Sequence, residues 1–293
     1  MPITYTPIRY PGGKSKIYPT VECVIRASGL EGCAYAEAFC GGAGLAVKLL
    51  LKGNVSRIVL NDIDPAVFSM WDAIVNHPEE LCAFISGTEP TVDEWERQHS
   101  LLISSPSPSL ELGMAALFLN RTNRSGILRG GPIGGRGQTG AWGIDARYNP
   151  DGLCAKVRRI ARRAGDIELH NLDASEFIDA VLRPMATRGE PVLANFDPPY
   201  VEKGPELYQN SFDEGDHRRL SREIASCEFP WIVTYDAVPL VDEMYEGFAR
   251  YDLEVGYSAA RVRREREILI AGPGVTVPDG LLPRRPGGAE SKE

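Results

Sequence analysis

Residues 34–44 have the sequence AYAEAFCGGAG, in which a short apolar run leads directly into a cluster of glycines. A pattern typical of a helix follows over residues 44–51. A strand that passes through a glycine turn into a helix lets the backbone approach a ligand closely and turns the helix N-terminus toward it. The stretch therefore predicts the first strand of an α/β sheet. Taken alone, it fits a packing turn as well as a nucleoside site.

On both sides of this unit, short apolar runs alternate with helical patterns. Alternation of this kind predicts an α/β domain with a mostly parallel sheet. The predicted strands are 34–39, 57–61, 167–170, 191–196, 231–235 and 265–271, with a weaker candidate at 253–257.

The alternation stops between residues 65 and 164. Helical patterns over 71–75, 81–85, 92–102 and 110–119 are followed by a glycine-rich stretch at 126–149. We therefore predict an α/β domain made of residues 1–65 and 165–272, an inserted module of residues 66–164, and a flexible tail of residues 273–293 that is rich in proline and glycine.

The charge of the chain is distributed unevenly. The whole sequence has 32 basic and 40 acidic residues and a net charge of −8, which argues against a protein that coats nucleic acid through its overall charge. The segment from Arg121 to Arg163 nevertheless contains ten basic and two acidic residues, a net charge of +8. Such a patch within an inserted module suits a phosphate backbone. Arg158, Arg159, Arg162 and Arg163 fit the solvated face of a helix equally well.

Cysteine and histidine usage argues against metal binding. The chain has six cysteines without a CxxC pair and only four histidines, so we expect neither a zinc site nor a disulfide framework. The N-terminal residues lack the apolar region of a signal peptide, and no apolar run approaches the ~20 residues that span a bilayer. We expect a cytoplasmic protein without a metal or a membrane partner.

Acidic residues follow two of the predicted strands. Asn61-Asp62-Ile63-Asp64 lies about 20 residues beyond the glycines, where an acid can accept hydrogen bonds from ribose hydroxyls. The motif Asp197-Pro198-Pro199-Tyr200 follows another strand, and its two prolines fix the backbone. Asp197 would then point from the carboxyl edge of the sheet, with Tyr200 as a flat face for a base. The glycine turn and Asp62 alone do not distinguish a dinucleotide from S-adenosylmethionine.

A third motif, Tyr10-Pro11-Gly12-Gly13-Lys14, combines glycines with a cation. It lacks the GxxxxGK[ST] spacing of a phosphate-binding loop, which argues against a nucleoside triphosphatase.

In this order, the motifs resemble those of the Dam-like DNA adenine-N6 methyltransferases, the alpha-order group of amino-methyltransferases. The similarity covers most of residues 5–272. It is carried by Tyr10–Lys14, Glu37–Gly44, Asn61–Asp64, Asp197–Tyr200, Leu119–Arg121 with Ser125–Ile127 and Arg129, and residues 207–212 and 261–270. The resemblance implies a Rossmann-like S-adenosylmethionine methyltransferase sheet with an inserted, mainly helical DNA-recognition module.

The resemblance also implies an activity, the transfer of a methyl group from S-adenosylmethionine to N6 of a flipped-out adenine in double-stranded DNA. Its implied catalytic residues are Asp197, Pro198 and Tyr200. Its implied cofactor-binding residues are Tyr10, Lys14, Glu37, Phe39, Gly41, Asp62, Asp173 and Asp197, although a helix cap is an equal alternative for Asp173. Its implied DNA-binding residues are Asn120, Arg121, Arg124, Ser125 and Arg129.

Two positions depart from the family pattern. Arg124-Ser125-Gly126 stands where members that recognise GATC carry an aromatic residue and Asn-Gly, and Tyr10 stands where the best-known members have tryptophan. The recognition sequence is therefore not predicted to be GATC. We expect Arg129 to contact a guanine base. For Arg124, a phosphate contact or plain surface charge is one alternative, and a role at the space that the flipped base vacates is an equal one.

Other functions stay open at this point. An N4-cytosine DNA methyltransferase is the main alternative, because it uses related chemistry. A methyltransferase of RNA or protein and a non-catalytic DNA-binding homologue come next, and a dinucleotide oxidoreductase lacks a GxGxxG motif. The sequence does not reveal whether a cognate restriction nuclease accompanies the protein.

Overall fold

A computed structural model of the protein describes residues 4–10, 12–202, 212–257 and 263–285. Its sheet is built from β1 (Ala34–Glu37), β2 (Arg57–Asn61), β3 (Ile167–His170), β4 (Val192–Phe196), β5 (Trp231–Asp236), β6 (Ala249–Tyr257) and β7 (Arg263–Ala271). The strand order is β3-β2-β1-β4-β5-β7-β6. The first five strands are parallel, and β7 lies antiparallel between β5 and β6. The predicted α/β fold class and each predicted strand are confirmed.

Helices connect these strands. They are α1 (Tyr18–Ala27), α2 (Gly44–Lys52), α3 (Pro65–Asn76), α4 (Pro78–Gly87), α5 (Val92–Ser104), α6 (Leu110–Thr122), α7 (Pro150–Ala161), α8 (Ala174–Phe177), α9 (Arg183–Thr187), α10 (Glu214–Ala225) and α11 (Pro239–Met244). A π-helical turn, Ile178–Leu182, joins α8 to α9. Lys14–Ile17, Arg124–Gly126, Ile144–Arg147 and Ala164–Asp166 form short 3-10 turns.

Both faces of the sheet are buried, as expected for parallel strands. Successive residues of β1 point to opposite faces: Tyr35 belongs to one hydrophobic core, and Ala34 and Ala36 belong to the other. The carboxyl ends of β1, β2 and β4 thus meet at one edge, between the two helical layers.

Helices α3 to α7 form the inserted region between β2 and β3. Their apolar residues, such as Trp71, Leu117 and Val157, share one core with Val21 of α1 and Leu45 of α2. The inserted helices are therefore packed onto one face of the sheet and do not enclose a separate core. Between α6 and α7, residues 123–149 contain two 3-10 turns and an isolated bridge between Asn123 and Pro132.

Residues 273–285 make contacts that are not those expected of a flexible tail. The backbone N–H of Thr276 donates to Ser28 Oγ at 2.8 Å, and Val277 is buried. Arg285 pairs with Asp242 at 2.9 Å. An apolar anchor and an ion pair thus hold this part of the predicted tail, and residues 286–293 lie outside the described residues.

Candidate active site at the carboxyl edge of the sheet

A cavity of about 350 Å³ lies at the carboxyl ends of β1, β2 and β4. This volume falls within the range of about 300–1,000 Å³ that is usual for small-molecule sites. Of the residues predicted to bind a cofactor, Tyr10, Lys14, Glu37, Phe39, Asp62 and Asp197 line it. The fold thus brings together side chains from four separate sequence motifs.

Lys14 lies at the centre of a buried charge cluster. Its Nζ is 2.9 Å from Asp197 Oδ2 and 3.7 Å from Glu267 Oε2, and it donates to the Gly12 carbonyl at 3.2 Å. Burial disfavours the lysine cation, but attraction to Asp197 and Glu267 outweighs burial and raises the pKa of Lys14. Lys14 is therefore a fixed cation that holds one oxygen of Asp197.

The other oxygen of Asp197 is held from β5. Thr234 Oγ1 donates to Asp197 Oδ1 at 2.7 Å. The carboxylate is therefore oriented from two sides, although its side chain keeps 21% of its surface exposed. Sequence reasoning missed both Thr234 and Glu267, because strand pairing brings them to the site. The available signal for Glu267 was an acid directly before the apolar residues 268–271 of β7.

The residues after Asp197 are held in place by the end of β5. Asp236 Oδ1 and Oδ2 accept hydrogen bonds from the backbone N–H groups of Val201 and Glu202, at 3.1 and 2.9 Å. The ring of Tyr200 lies next to the cluster, with its centroid 5.0 Å from Lys14 Nζ. Pro198 is buried. Of the related 207–212 stretch, residues 207–211 lie outside the described residues.

The glycine turn packs against the ring of Tyr10. A Cβ at Gly41 would lie 2.6 Å from Tyr10 Cε1, and Gly41 has a φ of +43°. Only glycine fits this close approach without strain. Gly41 therefore allows the turn to pack against the Tyr10 ring and is not among the residues that line the cavity.

Asp62 stabilises this turn through hydrogen bonds to the backbone. Its Oδ2 accepts from the Gly41 N–H at 2.9 Å, and its Oδ1 accepts from the Asp64 N–H at 3.0 Å. Trp71 Nε1 also donates to the Gly41 carbonyl, at 2.8 Å. Burial raises the pKa of Asp62 to about 7 despite these two donors. Sequence reasoning predicted a ribose contact for Asp62 but not this structural role.

Two buried polar groups in the cavity wall point to a polar ligand. Asn195 is 2% exposed, and its Oδ1 has no hydrogen-bond donor among the described residues. Glu37 is 5% exposed, and burial, with a further contribution from the charge of Asp197, raises its pKa to about 8. Buried polar atoms are normally satisfied, so a ligand with donors or a positive charge fits this wall.

Glu37→Gln is expected to flatten the pH dependence of stability. The folded protein holds the Glu37 proton up to a pH of about 8, whereas an unfolded chain releases it near its usual pKa of 4.5. The free energy of unfolding should therefore fall as the pH rises from about 5 to about 8, because the unfolded state binds fewer protons there. Urea unfolding across this range tests the prediction.

The exposed Glu31 offers a matched control, since Glu31→Gln should keep the wild-type pH slope. Asp62 contributes a smaller decline of the same sign, which remains in the Glu37 variant. An unchanged slope in Glu37→Gln would show that Glu37 is ionised throughout this range.

Asn120 is not at a DNA-accessible surface, contrary to its predicted role. It is completely buried, and its Oδ1 accepts from the Arg9 N–H at 2.8 Å. Its Nδ2 donates to the Arg9 carbonyl at 2.6 Å and to the Gly126 carbonyl at 2.9 Å. A Cβ at Gly126, where φ is +78°, would lie 2.6 Å from the Arg9 carbonyl oxygen. Asn120 therefore acts as a clamp between two loops.

Arg121 also forms hydrogen bonds within the protein. Its guanidinium donates to the carbonyl of Arg147 at 2.6 and 2.9 Å and to that of Pro7 at 3.2 Å. Burial, together with the neighbouring Arg9 and Arg147, lowers the pKa of Arg121 to about 10. These contacts bind the guanidinium to backbone carbonyls, so the predicted DNA contact would have to compete with them.

The remaining predicted DNA-binding residues, Arg124, Ser125 and Arg129, are exposed. Ser125 has a φ of +57°, a left-handed conformation that is uncommon for a side chain other than glycine. Other arginines of the basic segment are neutralised by acids of this chain. Arg158 lies 2.7 Å from Glu79, and Arg163 lies 2.6 Å from Asp166.

Asp173 caps a helix. Its Oδ1 accepts from the Ser175 N–H at 2.9 Å at the start of α8, and its exposed side chain is outside the cavity lining. The structure therefore gives it the second of its two predicted roles. Among the described residues, no group of three or more His, Cys, Asp or Glu side chains is arranged for a metal ion. None of the described helices has the length and apolar character to cross a membrane.

Comparison with solved structures finds two methyltransferases that align with most of this chain. A putative RNA methyltransferase from Pyrococcus horikoshii has a TM-score of 0.41 at 12% identity, covering 90% of this chain and 83% of that chain. The rRNA methyltransferase AviRa from Streptomyces viridochromogenes has a TM-score of 0.44 at 11% identity, covering 91% and 88%. Comparison with curated proteins gave no match.

A family model gives the more specific similarity. Residues 10–99 match the D12 class N6 adenine-specific DNA methyltransferases. This range holds the Tyr10–Lys14 motif, the glycine turn and Asn61–Asp64, all of which meet at the cavity. The match supports methyltransferase activity and the predicted resemblance of the chain to the Dam-like family.

Proposed function

We propose that the chain transfers a methyl group from S-adenosylmethionine to N6 of a flipped-out adenine in double-stranded DNA. The observation that carries this proposal is the position of Asp197. Its carboxylate is held by Lys14 and Thr234 at the wall of a cavity that the glycine turn also lines. A hydrogen-bond acceptor thus lies directly beside a site of cofactor size.

The residues of the cavity fit S-adenosylmethionine. Tyr10 and Phe39 offer aromatic faces, while Glu37, Asp62 and Asn195 offer acceptors for hydroxyl and ammonium groups. When bound, the cofactor supplies a methyl group that is already activated by its attachment to a positively charged sulfur. The acidic wall formed by Glu37 suits that positive charge, since a nearby cation favours the ionised carboxylate.

The chemistry that remains for the protein is to orient the amino group of adenine. This nitrogen is a poor nucleophile, because its lone pair is delocalised into the ring. An acceptor on each N–H favours the pyramidal nitrogen that attacks, and the Asp197 carboxylate and the Pro198 carbonyl are the proposed acceptors. Each carboxylate oxygen has two lone pairs, so Lys14 and Thr234 leave acceptor capacity on Asp197. Their contacts orient it before the substrate arrives.

The adenine has to leave the base stack to reach Asp197. Tyr200 follows the catalytic prolines, and its ring lies beside Lys14, where it offers a stacking face for the flipped base. Aspartate before the two prolines favours adenine over cytosine, as does the class of the matching family model.

Methyl transfer with labelled cofactor tests this function. The protein is incubated with double-stranded DNA, single-stranded DNA or RNA, and the products are digested to nucleosides. We expect label in N6-methyldeoxyadenosine from the duplex. Label in N4-methyldeoxycytidine would contradict the adenine assignment, and label confined to RNA would contradict the DNA assignment. The Asp197→Ala variant controls for contaminating activity.

Duplex binding is expected to depend steeply on salt despite the net charge of −8. If the basic segment neutralises about five phosphates, the slope of log affinity against log salt is about −4 to −5. The change Arg124→Ala removes one exposed cation and, if Arg124 contacts a phosphate, should make the slope shallower by about 1. Binding is measured by fluorescence anisotropy of a labelled duplex.

Arg158→Ala provides the matched control. It removes an arginine of the same segment that already pairs with Glu79, so its slope should stay close to that of the wild type. If the affinity of the wild type does not change with salt, the basic segment does not contact the duplex.

A further inference from the structure

A second cavity, which we call the arginine cleft, adjoins the candidate active site. It has a volume of about 440 Å³ and is lined by Trp95 and His99 of α5, by residues 130–132 and Gly135, and by Arg124, Arg129 and Arg136. Arg129 lines the candidate active site as well, so the two cavities share a wall.

The arginine cleft combines an aromatic floor with cations at its rim. The rings of Trp95 and His99 stack at 4.8 Å, and the Arg136 guanidinium lies 5.6 Å from the centre of the Trp95 ring. Arg136 is also 3.7 Å from Glu96, whereas neither Arg124 nor Arg129 forms an ion pair with a described residue. The rim therefore carries positive charge that suits an anionic backbone.

The loop of residues 133–144 forms one side of this cleft. The side-chain amide of Gln138 joins the two ends of the loop through hydrogen bonds. Gln138 Nε2 donates to the Ile133 carbonyl at 2.8 Å, while Gln138 Oε1 accepts from the Ile144 N–H at 2.9 Å. The Gly140 N–H donates to the Gly134 carbonyl at 3.2 Å, and Ile144 is buried. The loop is thus held by its own hydrogen bonds and anchored at its end.

This loop displays Trp142 to solvent. Trp142 is 72% exposed, whereas Trp71, Trp95 and Trp231 are all at most 3% exposed. Its backbone carbonyl packs against Gly134, next to the part of the loop that lines the cleft. An isolated exposed apolar residue needs no explanation. An exposed indole on a loop that also contributes Gly135 and Arg136 to the cleft has the features of a stacking platform for a nucleobase.

We propose that the arginine cleft and Trp142 together form a DNA-contact surface, in which Arg124 and Arg136 bind backbone phosphates and Trp142 stacks on a base. This inference rests on the proposed DNA substrate. The hydrogen bonds of the loop hold the backbone that carries Trp142 before binding, so little backbone freedom is lost when the base is engaged. The shared wall at Arg129 places this contact next to the pocket for the flipped adenine.

Fluorescence of the tryptophans tests the proposal without relying on turnover. Three of the four tryptophans are buried, so the emission that responds to solvent comes mainly from Trp142. Titration with duplex should quench wild-type emission, and Trp142→Phe should lose most of that change. Trp142→Ala should raise the Kd of the duplex about 5- to 150-fold, which corresponds to the loss of one base–aromatic stacking contact.

Arg136→Ala should weaken binding at all sequences and reduce the salt slope by about 1. Its matched control is Arg97→Ala, because Arg97 is an exposed arginine of α5 that pairs with Glu94 outside the cleft. Unchanged thermal unfolding verifies that the exposed substitutions leave the fold intact.

The outcomes separate this inference from the proposed function. The inference is overturned, and the proposed function stands, if three results occur together. The wild type methylates adenine in DNA, duplex does not quench its tryptophan emission, and Trp142→Ala binds duplex with the wild-type Kd. A protein that quenches with duplex but labels no adenine supports the contact surface and overturns the proposed reaction. Quenching by RNA and not by duplex overturns both.

Discussion

Asp197→Ala is expected to lower the rate of methyl transfer about 10²–10³-fold, the range that is usual when one preorganised hydrogen-bonding group of an active site is removed. The carboxylate is the proposed acceptor for one N–H of the adenine amino group, and alanine leaves that hydrogen unpaired as the nitrogen attacks. The fold should survive, because Asp197 lies at the exposed end of β4 and its loss opens no core. Lys14 keeps Glu267 as a partner.

The rate is measured under single-turnover conditions with labelled cofactor and duplex. Calorimetric titration with the cofactor verifies that the variant still has its binding cavity. Thr234→Val offers a graded companion, since it removes only the hydrogen bond to Asp197 Oδ1 and should cost about tenfold. Thr234→Ser keeps the hydroxyl and should stay near the wild type. Substantial turnover by Asp197→Ala would exclude Asp197 from the chemistry.

Lys14→Met is expected to lower the free energy of unfolding by about 3–5 kcal/mol, the usual cost of removing one partner from a buried charge cluster. Methionine fills similar space but removes the cation that Asp197 and Glu267 share. Glu267 bears most of the penalty, because it is 1% exposed whereas Asp197 still contacts solvent. Methyl transfer should fall as well, since Asp197 loses the contact that orients it.

A second substitution separates this charge effect from simple loss of packing. Glu267→Gln in the Lys14→Met background removes one of the two acidic charges that Lys14 balances, so the double variant should regain part of the lost stability. Urea unfolding of all four members of the cycle gives the coupling. Lys16→Met is the matched control, because Lys16 is an exposed lysine of the same turn. Equal losses in Lys14→Met and Lys16→Met would show that the cluster contributes no stability.

The fold was predictable to the extent that local patterns determine it. The ends of β2 and β3 match the predicted runs, because apolar residues and flanking turns mark a strand buried on both faces. β6 was recognised only from residue 253, although it begins at Ala249. Arg250 interrupts the apolar pattern there, yet it is buried, and its guanidinium lies 3.1 Å from the Asp242 carboxylate. That pairing depends on tertiary structure and leaves no local signal.

The candidate site was predictable where its residues stand at strand ends or in glycine motifs. Lys14, Glu37 and Asp197 were identified in this way, and the fold places all three at one cavity. Glu267 and Thr234 were missed, because their position depends on the insertion of β7 next to β5 and on the pairing of β5 with β4. Such neighbours are set by the order of strands and cannot be read from spacing.

The Asn120 clamp has a consequence for how such a protein diversifies. One side-chain amide fastens the backbone of Arg9, the neighbour of Tyr10, to Gly126 at the start of the segment that leads to Arg129. Residues 130–149 lie beyond this contact and are held by one another and by residues of α4, α5 and α6. On the proposed function, new target sequences can therefore be acquired by exchanging this outer loop. The distance between methyl donor and acceptor base would stay the same, because the Asn120 contacts that hold Arg9 and Gly126 lie outside the exchanged residues.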